Sequence, residues 1–262
     1  MSGSAGVMAV VLAQTVAGSA ALLWATPLWG EVKRGFFTLT GSILFVLAIL
    51  TWFTASSGRI PGDEAGDWIV RLAAANTIVT LLWLVLLIAR KHAPARLVGI
   101  LGAAVAIGVL IPIAIAARQG AAVAMFQLLA GAWFLGAVVD GLLLGHWYLT
   151  DRGLTRVPIN RYTNVLIGGV VAEGLAVLAA FLTGGFEDVS ASATPFNPLT
   201  VQLAGWIALG MVGATALVAI FVRLTLKGER ASAVQAATGF FYLAVMTAFI
   251  AEVAVKTQYL PR

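Results

Sequence analysis

Five ionisable residues stand inside stretches of sequence that are otherwise apolar. They are Arg71, Asp140, His146, Glu173 and Glu252. A titratable side chain in hydrocarbon is expensive, so residues of this kind mark binding sites, ion pairs or proton pathways. Their types and spacing indicate which chemistry each one could perform.

Asp140 and Glu173 form the first candidate pair. At a rise of about 1.5 Å per helical residue, each lies roughly 15 Å from the end of its apolar stretch. The two stretches are consecutive, so as antiparallel helices they would be neighbours. Two carboxyls at one depth predict a proton relay, and the alternative is that each only hydrogen-bonds another helix. Gly141, Gly145 and Gly169 accompany the two acids and predict close helix contacts beside them.

The segment 144–150 (LGHWYLT) supplies a second candidate site. Imidazole can donate to a quinone carbonyl or carry a proton near neutral pH. Indole and phenol rings can flank an aromatic head group. We therefore predict a quinone site formed by His146, Trp147, Tyr148 and Arg152. The alternative is an aromatic belt at the membrane surface with a hydrogen-bonded histidine.

Arg71 and Glu252 form the third candidate pair. Both lie near the same end of their apolar stretches, and a structural ion pair between them would tie distant parts of the chain together. The alternative is that Arg71 extends to the headgroups while its aliphatic stem stays in the apolar region.

Metal chemistry within the chain is disfavoured by its composition. There is no cysteine, and the second histidine, His92, lies in a basic loop. We therefore predict no metal site and no bis-histidine haem in this chain, although a single axial ligand at His146 stays open. The chain carries no HExxH, GxSxG or P-loop motif. We assign no catalytic residue, and any redox reaction would depend on metal centres in a partner.

The elements that hold these residues follow from composition. The chain has 262 residues, of which 61% are hydrophobic and 10% charged. Soluble domains are about 45–50% apolar and about 25% charged. We predict an all-α, polytopic transmembrane bundle of about eight spans, a single unit over residues 1–262 in a lipid bilayer. The predicted spans are 6–28, 36–56, 68–89, 97–117, 121–149, 163–183, 200–222 and 231–254.

Loop charge predicts the orientation of these spans. The first, third, fifth and seventh connections hold Lys33, Arg34, Arg90, Lys91, Arg96, Arg152, Arg156, Arg161, Arg223, Lys227 and Arg230, and the other side holds Arg59, Arg118, Lys256 and Arg262. Because cytoplasmic loops carry the excess of Lys and Arg, both termini are predicted to be extracytoplasmic. We expect a multi-pass protein of the plasma (inner) membrane. The net charge of +5 lies in short loops, so a nucleic-acid partner is not predicted.

The last span runs from Gly239-Phe240-Phe241-Tyr242-Leu243 through Phe249-Ile250-Ala251-Glu252. With eight spans, both termini outside and no pair of haem ligands, the chain resembles the quinol-interacting membrane anchors of dimethyl sulfoxide reductase-type complexes. Its last span resembles the acidic terminal helix of that family. The resemblance implies a membrane subunit of a respiratory-type electron-transfer complex. Such a subunit has quinone as cofactor and other membrane or peripheral subunits as partners. The resemblance also implies that Glu252 is important for function. Two alternatives stay open: a proton-coupled transporter or channel using Asp140 and Glu173, and a purely structural membrane subunit.

Overall fold

The computed structural model describes residues 1–117, 120–151, 153–184, 186, 197–228 and 232–256, with the side chains of 197–202 left out. Within these residues the chain forms nine α-helices and no strand. The helices are α1 (Gly3–Ala25), α2 (Leu28–Glu31), α3 (Arg34–Ser57), α4 (Glu64–Ile88), α5 (His92–Ile115), α6 (Ala121–Thr150), α7 (Val157–Leu182), α8 (Asn197–Leu226) and α9 (Ser232–Lys256).

Eight of the described helices are long and apolar enough to cross a membrane, and α2 is a short connecting turn. The prediction of an all-helical chain with eight spans is therefore confirmed. The boundaries differ most at α5 and α7. These helices begin at His92 and Val157, five to six residues before the predicted starts at 97 and 163. Hydropathy locates only the part of a helix that lies in hydrocarbon, whereas backbone hydrogen bonding continues into the polar ends.

The spans form two rings of four helices that stand side by side. In the first ring α1 packs on α3, α3 on α4, α4 on α5, and α5 returns to α1. In the second ring α6, α7, α8 and α9 follow one another in the same way, and α9 returns to α6. The rings meet mainly through α1 and α6, with α5–α6 and α1–α9 contacts beside them. The first and fourth helices of each ring therefore form the joint.

Helix α1 is the most buried span because its side chains are small. Ala13, Ala17 and Gly18 let neighbouring helices approach on several sides, and all three are buried. At the crossing with α6, a Cβ atom on Gly18 would meet the carbonyl of Ala132, and one on Gly136 would meet the backbone of Gly18. The joint between the rings is thus a contact of backbone against backbone.

Large apolar side chains cover the outer surface of both rings. Phe53, Ile78 and Trp206 are examples, each more than half exposed. In water such a surface would be unfavourable, and in a bilayer it contacts lipid. The end of the bundle where Lys33 and Lys91 lie is called the basic face below, and the end where Glu64 lies is called the opposite face.

Candidate functional site

Asp140 of α6 is fully buried and hydrogen-bonded on both carboxylate oxygens. Ser19 of α1 donates to Oδ1, and the phenol of Tyr162 on α7 donates to Oδ2 at 3.2 Å. All three side chains have no exposed surface. Because hydroxyls from α1 and α7 satisfy the carboxylate, Asp140 ties one helix of the first ring to two of the second. We call these three residues the aspartate cluster.

Glu173 belongs to a different cluster, at another depth. Helix α7 begins at Val157, so Glu173 lies about 24 Å along the helix from the basic end, at about 1.5 Å per residue. Asp140 lies about 15 Å from Thr150, the basic end of α6. The prediction that both acids share one depth is therefore corrected, and its cause is the early start of α7. Tyr162, eleven residues before Glu173, takes the place beside Asp140.

Glu173 interacts instead with two groups of α9. These are the carboxyl of Glu252 and the ammonium group of Lys256, with which Glu173 interacts electrostatically. Lys256 Nζ lies 3.1 Å from Glu252 Oε2, and neither side chain has any exposed surface. Arg71 is exposed, and its guanidinium carbon lies 5.5 Å above the ring of Trp68. The predicted pairing of Arg71 with Glu252 is thus corrected: Glu252 is paired one helical turn away, by Lys256.

Gln14 and Gly131 complete this second cluster. Gln14 Nε2 donates to the carbonyl of Leu128 on α6 at 3.0 Å. A Cβ atom on Gly131 would meet both Gln14 Nε2 and Glu252 Oε1. The glycine therefore leaves the space in which an amide from the first ring and a carboxyl from the second come together. We call Gln14, Glu173, Glu252 and Lys256 the acid–lysine site.

The His-Trp-Tyr segment does not form one site, because successive helical residues point about 100° apart. Trp147 turns toward α3, where its ring fills the space beside Gly35. Tyr148 donates to the carbonyl of Thr155 in the following loop at 2.5 Å. Arg152 lies outside the described residues. Trp147 and Tyr148 are therefore engaged elsewhere. Among the described residues of the predicted quinone site, His146 is left to form a hydrogen bond with another helix.

His146 pairs with Tyr242 of α9. Their Nε2 and Oη atoms are 2.7 Å apart, and the rings meet edge to face with centroids 5.4 Å apart. His146 Nδ1 lies 3.3 Å from the carbonyl of Leu142. With the Nδ1–H tautomer, the imidazole donates to that carbonyl and Nε2 accepts the Tyr242 hydroxyl. His146 is half-buried, whereas Tyr242 is 49% exposed on the outer surface.

The glycines beside the acids make the close contacts that their spacing predicts. Cβ atoms on Gly141 and Gly145 would meet Phe241 and Thr238 of α9. A Cβ on Gly169 would lie 3.0 Å from the Cα of Phe134 on α6. Three helix pairs therefore approach closely through glycine: α6–α9, α6–α7 and α1–α6. This close packing keeps the side chains of both clusters near one another.

Sequence reasoning missed several members of these clusters. They are Gln14, Ser19, Tyr162, Tyr242 and Lys256. Gln14 gave a usable signal as a long polar side chain in an apolar stretch. Lys256 gave another, since it stands one turn after Glu252. Ser19 and the tyrosines gave none, because hydroxyls are common in transmembrane helices and only the packing of α1, α7 and α9 on α6 selects these three.

Within the part of the chain that the structure describes, no group of three or more His, Asp or Glu side chains could hold a metal ion. Comparison of the chain with protein-family models, with curated proteins and with solved structures finds no match.

Proposed function

We propose that this protein is an integral membrane subunit of a respiratory-type electron-transfer complex, in which it contacts a quinone and relays protons. The resemblance of its last span to the anchors of dimethyl sulfoxide reductase-type complexes makes such an enzyme the proposed partner. We also propose the plasma (inner) membrane as its location, with both termini extracytoplasmic, because the basic loops alternate with the others along the chain.

The observation that carries this proposal is the His146–Tyr242 pair. A quinone diffuses within the bilayer, so its site must be reachable from lipid, and Tyr242 is about half exposed on that surface. The phenol oxygen keeps lone pairs for the hydroxyl of a quinol while its own proton is held by His146 Nε2. A proton from a quinol can therefore pass to Tyr242 and onward to His146. A bound quinol would supply the electrons as it is oxidised to quinone, and those electrons would leave to metal centres of the partner.

The test is binding of a quinone analogue to the purified chain in lipid nanodiscs, measured by quenching of tryptophan fluorescence. Removing one hydrogen-bonding partner of the head group costs about 1.4 kcal/mol, so His146→Ala and Tyr242→Phe should each weaken binding about tenfold. His92→Ala is the matched control, since it removes the other histidine, which is exposed at the start of α5. Unchanged affinity in both site variants would rule out this pair as the quinone contact.

A second candidate function is a proton-coupled carrier, and the position of the acid–lysine site favours it. Gln14 belongs to the first ring and Glu252 to the second, so a polar site lies where two halves of the molecule meet. Relative motion of two halves around such a site is the basis of alternating access. Substrate uptake into vesicles driven by a proton gradient, without any partner subunit, would favour the carrier over the anchor.

A further inference from the structure

Two ion pairs cross the joint between the rings at the basic face. Lys33 Nζ lies 3.0 Å from Asp151 Oδ1, and Arg161 Nη1 lies 2.5 Å from Glu31 Oε2. We propose that these four residues form a gate, which closes the joint at this face and opens to give access to Asp140. We call them the basic-face gate. The inference goes beyond the proposed function, since it requires neither quinone nor a partner.

The charges of the gate are complementary across the joint. Glu31 and Lys33 lie in the connection between α1 and α3, so the first ring contributes one acid and one base. Asp151 follows α6 and Arg161 lies near the start of α7, so the second ring does the same. The side chain of Lys33 is 76% exposed, and both members of the other pair are about one-third exposed. Ion pairs in contact with water are weak and are screened by salt, so the gate opens at little cost.

The glycine crossing of α1 and α6 supplies a pivot for this opening. At Gly18 and Gly136 the two helices touch backbone against backbone, and parting them would lose that close packing. Toward the basic face, side chains make the contact instead, as where the ring of Trp147 lies beside Gly35. Helix α7 packs chiefly on α6 and α8, within its own ring. The joint can therefore open at the basic face while the crossing stays closed.

The gate is coupled to the aspartate cluster through α7. Arg161 and Tyr162 are consecutive residues; the first pairs with Glu31 of the first ring and the second donates to Asp140. Because the two residues share one stretch of backbone, a movement of the start of α7 away from α2 displaces both. Asp140 has no exposed surface while the gate is closed. Opening therefore loosens the Tyr162 hydrogen bond and lets water from the basic face reach the Asp140 carboxyl.

Two buried leucines can report the opening. Leu23 lies one helical turn past Ser19, and Leu144 lies one turn past Asp140, both toward the basic face. Neither leucine has any exposed surface. A cysteine at either position is therefore shielded from water-soluble reagents until the joint opens. Since the chain has no native cysteine, a single substitution gives an unambiguous signal.

The experiment measures how fast a water-soluble maleimide modifies Leu23→Cys in the full chain, held in nanodiscs at low salt. Adding Asp151→Asn removes one ion pair and should raise the rate about threefold, as expected for a weak, water-exposed pair. Adding Arg161→Gln as well removes both pairs and should raise the rate about tenfold. The matched control is Arg59→Gln, which breaks the exposed pair with Asp67 at the opposite face and should leave the rate unchanged.

Charge exchange separates an opened gate from a loosened fold. Lys33→Asp alone should raise the rate, and Lys33→Asp combined with Asp151→Lys should return it to the value of the parent protein. A second measurement needs no substitution in the gate: the rate should also rise at about 1 M salt, where the screening length is about 3 Å. If a gate variant fails to fold, this salt dependence decides the question. If Leu23→Cys fails to fold, Leu144→Cys takes its place.

Three results would overturn the proposal. A rate that stays the same in the gate variants and at high salt would show that the ion pairs do not hold the joint closed. A rate that rises but is not restored by the charge exchange would trace the exposure to lost packing. An equal rise in Arg59→Gln would show that the loss of any surface ion pair has the same effect.

Discussion

At the scale of single residues, side chains that are adjacent in sequence point toward different helices, and side chains far apart in sequence come into contact. His146, Trp147 and Tyr148 are consecutive, yet they face α9, α3 and the loop before α7. Asp140 meets Ser19, which lies 121 positions away along the chain. In a helical membrane protein, a side chain's partner depends on the face of the helix that it occupies and on the helix opposite that face.

The aspartate cluster leads to a prediction about stability. Asp140→Ala removes the acceptor of two buried hydroxyls, those of Ser19 and Tyr162. We expect it to lower the free energy of unfolding by about 1–3 kcal/mol, because both hydroxyls lose a buried acceptor in an apolar interior. Asp140→Asn keeps one acceptor oxygen and should lose less. Unfolding by sodium dodecyl sulfate in mixed micelles measures both.

The control for this prediction is Ser42→Ala. Ser42 is exposed, and its hydroxyl donates to the Thr38 carbonyl within its own helix, so its removal should change stability little. A wild-type free energy of unfolding in Asp140→Ala would contradict the proposed tie between the rings. Normal stability in Asp140→Asn with impaired proton transfer would instead assign Asp140 to the relay.

At the scale of elements, glycine decides how closely the helices approach. Gly136 and Gly131 lie on the same helix, but the atoms that crowd them differ. A Cβ on Gly136 would collide with the backbone of α1, whereas one on Gly131 would meet the movable ends of Gln14 and Glu252. The same substitution should therefore disturb the packing of the joint at one position and the acid–lysine site at the other.

This contrast predicts a specific loss of stability in Gly136→Ala. Since the backbone of α1 cannot yield locally, the two helices must separate, and overpacking of this kind costs about 1–3 kcal/mol or more. Gly213→Ala is the control, because a Cβ there meets no atom within 4 Å. Alanine at that position should be neutral or stabilising by up to about 1 kcal/mol. Equal stability of both variants would show that the α1–α6 crossing is looser than described.

At the scale of the whole molecule, two four-helix rings make one bundle with polar clusters at their joint. The aspartate cluster and the acid–lysine site both link α1 with helices of the second ring. An even number of spans also places the beginning of α1 and the end of α9 at the same face. The side of the membrane on which that face lies is a prediction of the loop charges.

Cysteine labelling tests that orientation, and the absence of native cysteine makes single-cysteine variants straightforward. Glu64 at the opposite face and Ala93 at the basic face are both exposed. In intact cells, a membrane-impermeant maleimide should label Glu64→Cys, whereas Ala93→Cys should react only after permeabilisation. The reverse pattern would place the termini in the cytoplasm, and labelling of both in intact cells would contradict the eight-span topology.

The amino-acid sequence was enough to identify the solvent, the class of element and the number of spans. An apolar stretch of about 20 residues can satisfy its backbone in lipid only as a helix, so composition and length were sufficient. It also identified Asp140, Glu173, His146 and Glu252 as ionisable residues whose burial in hydrocarbon costs free energy. It identified the glycines as points of close helix contact.

Which of these residues meet depends on how the helices pack, and this became visible in the folded structure. Pairing Asp140 with Glu173 required the start of α7, which hydropathy placed six residues too late, and that error amounts to about 9 Å along the helix. The rotation of α9 and α7 against α6 decides which side chains interact. It brings Tyr242 to His146, and it brings Lys256 and Glu173 to Glu252. Hydrophobicity cannot fix that rotation in a bilayer, since lipid is as apolar as the faces it covers, and packing through glycine and buried hydrogen bonds sets it instead.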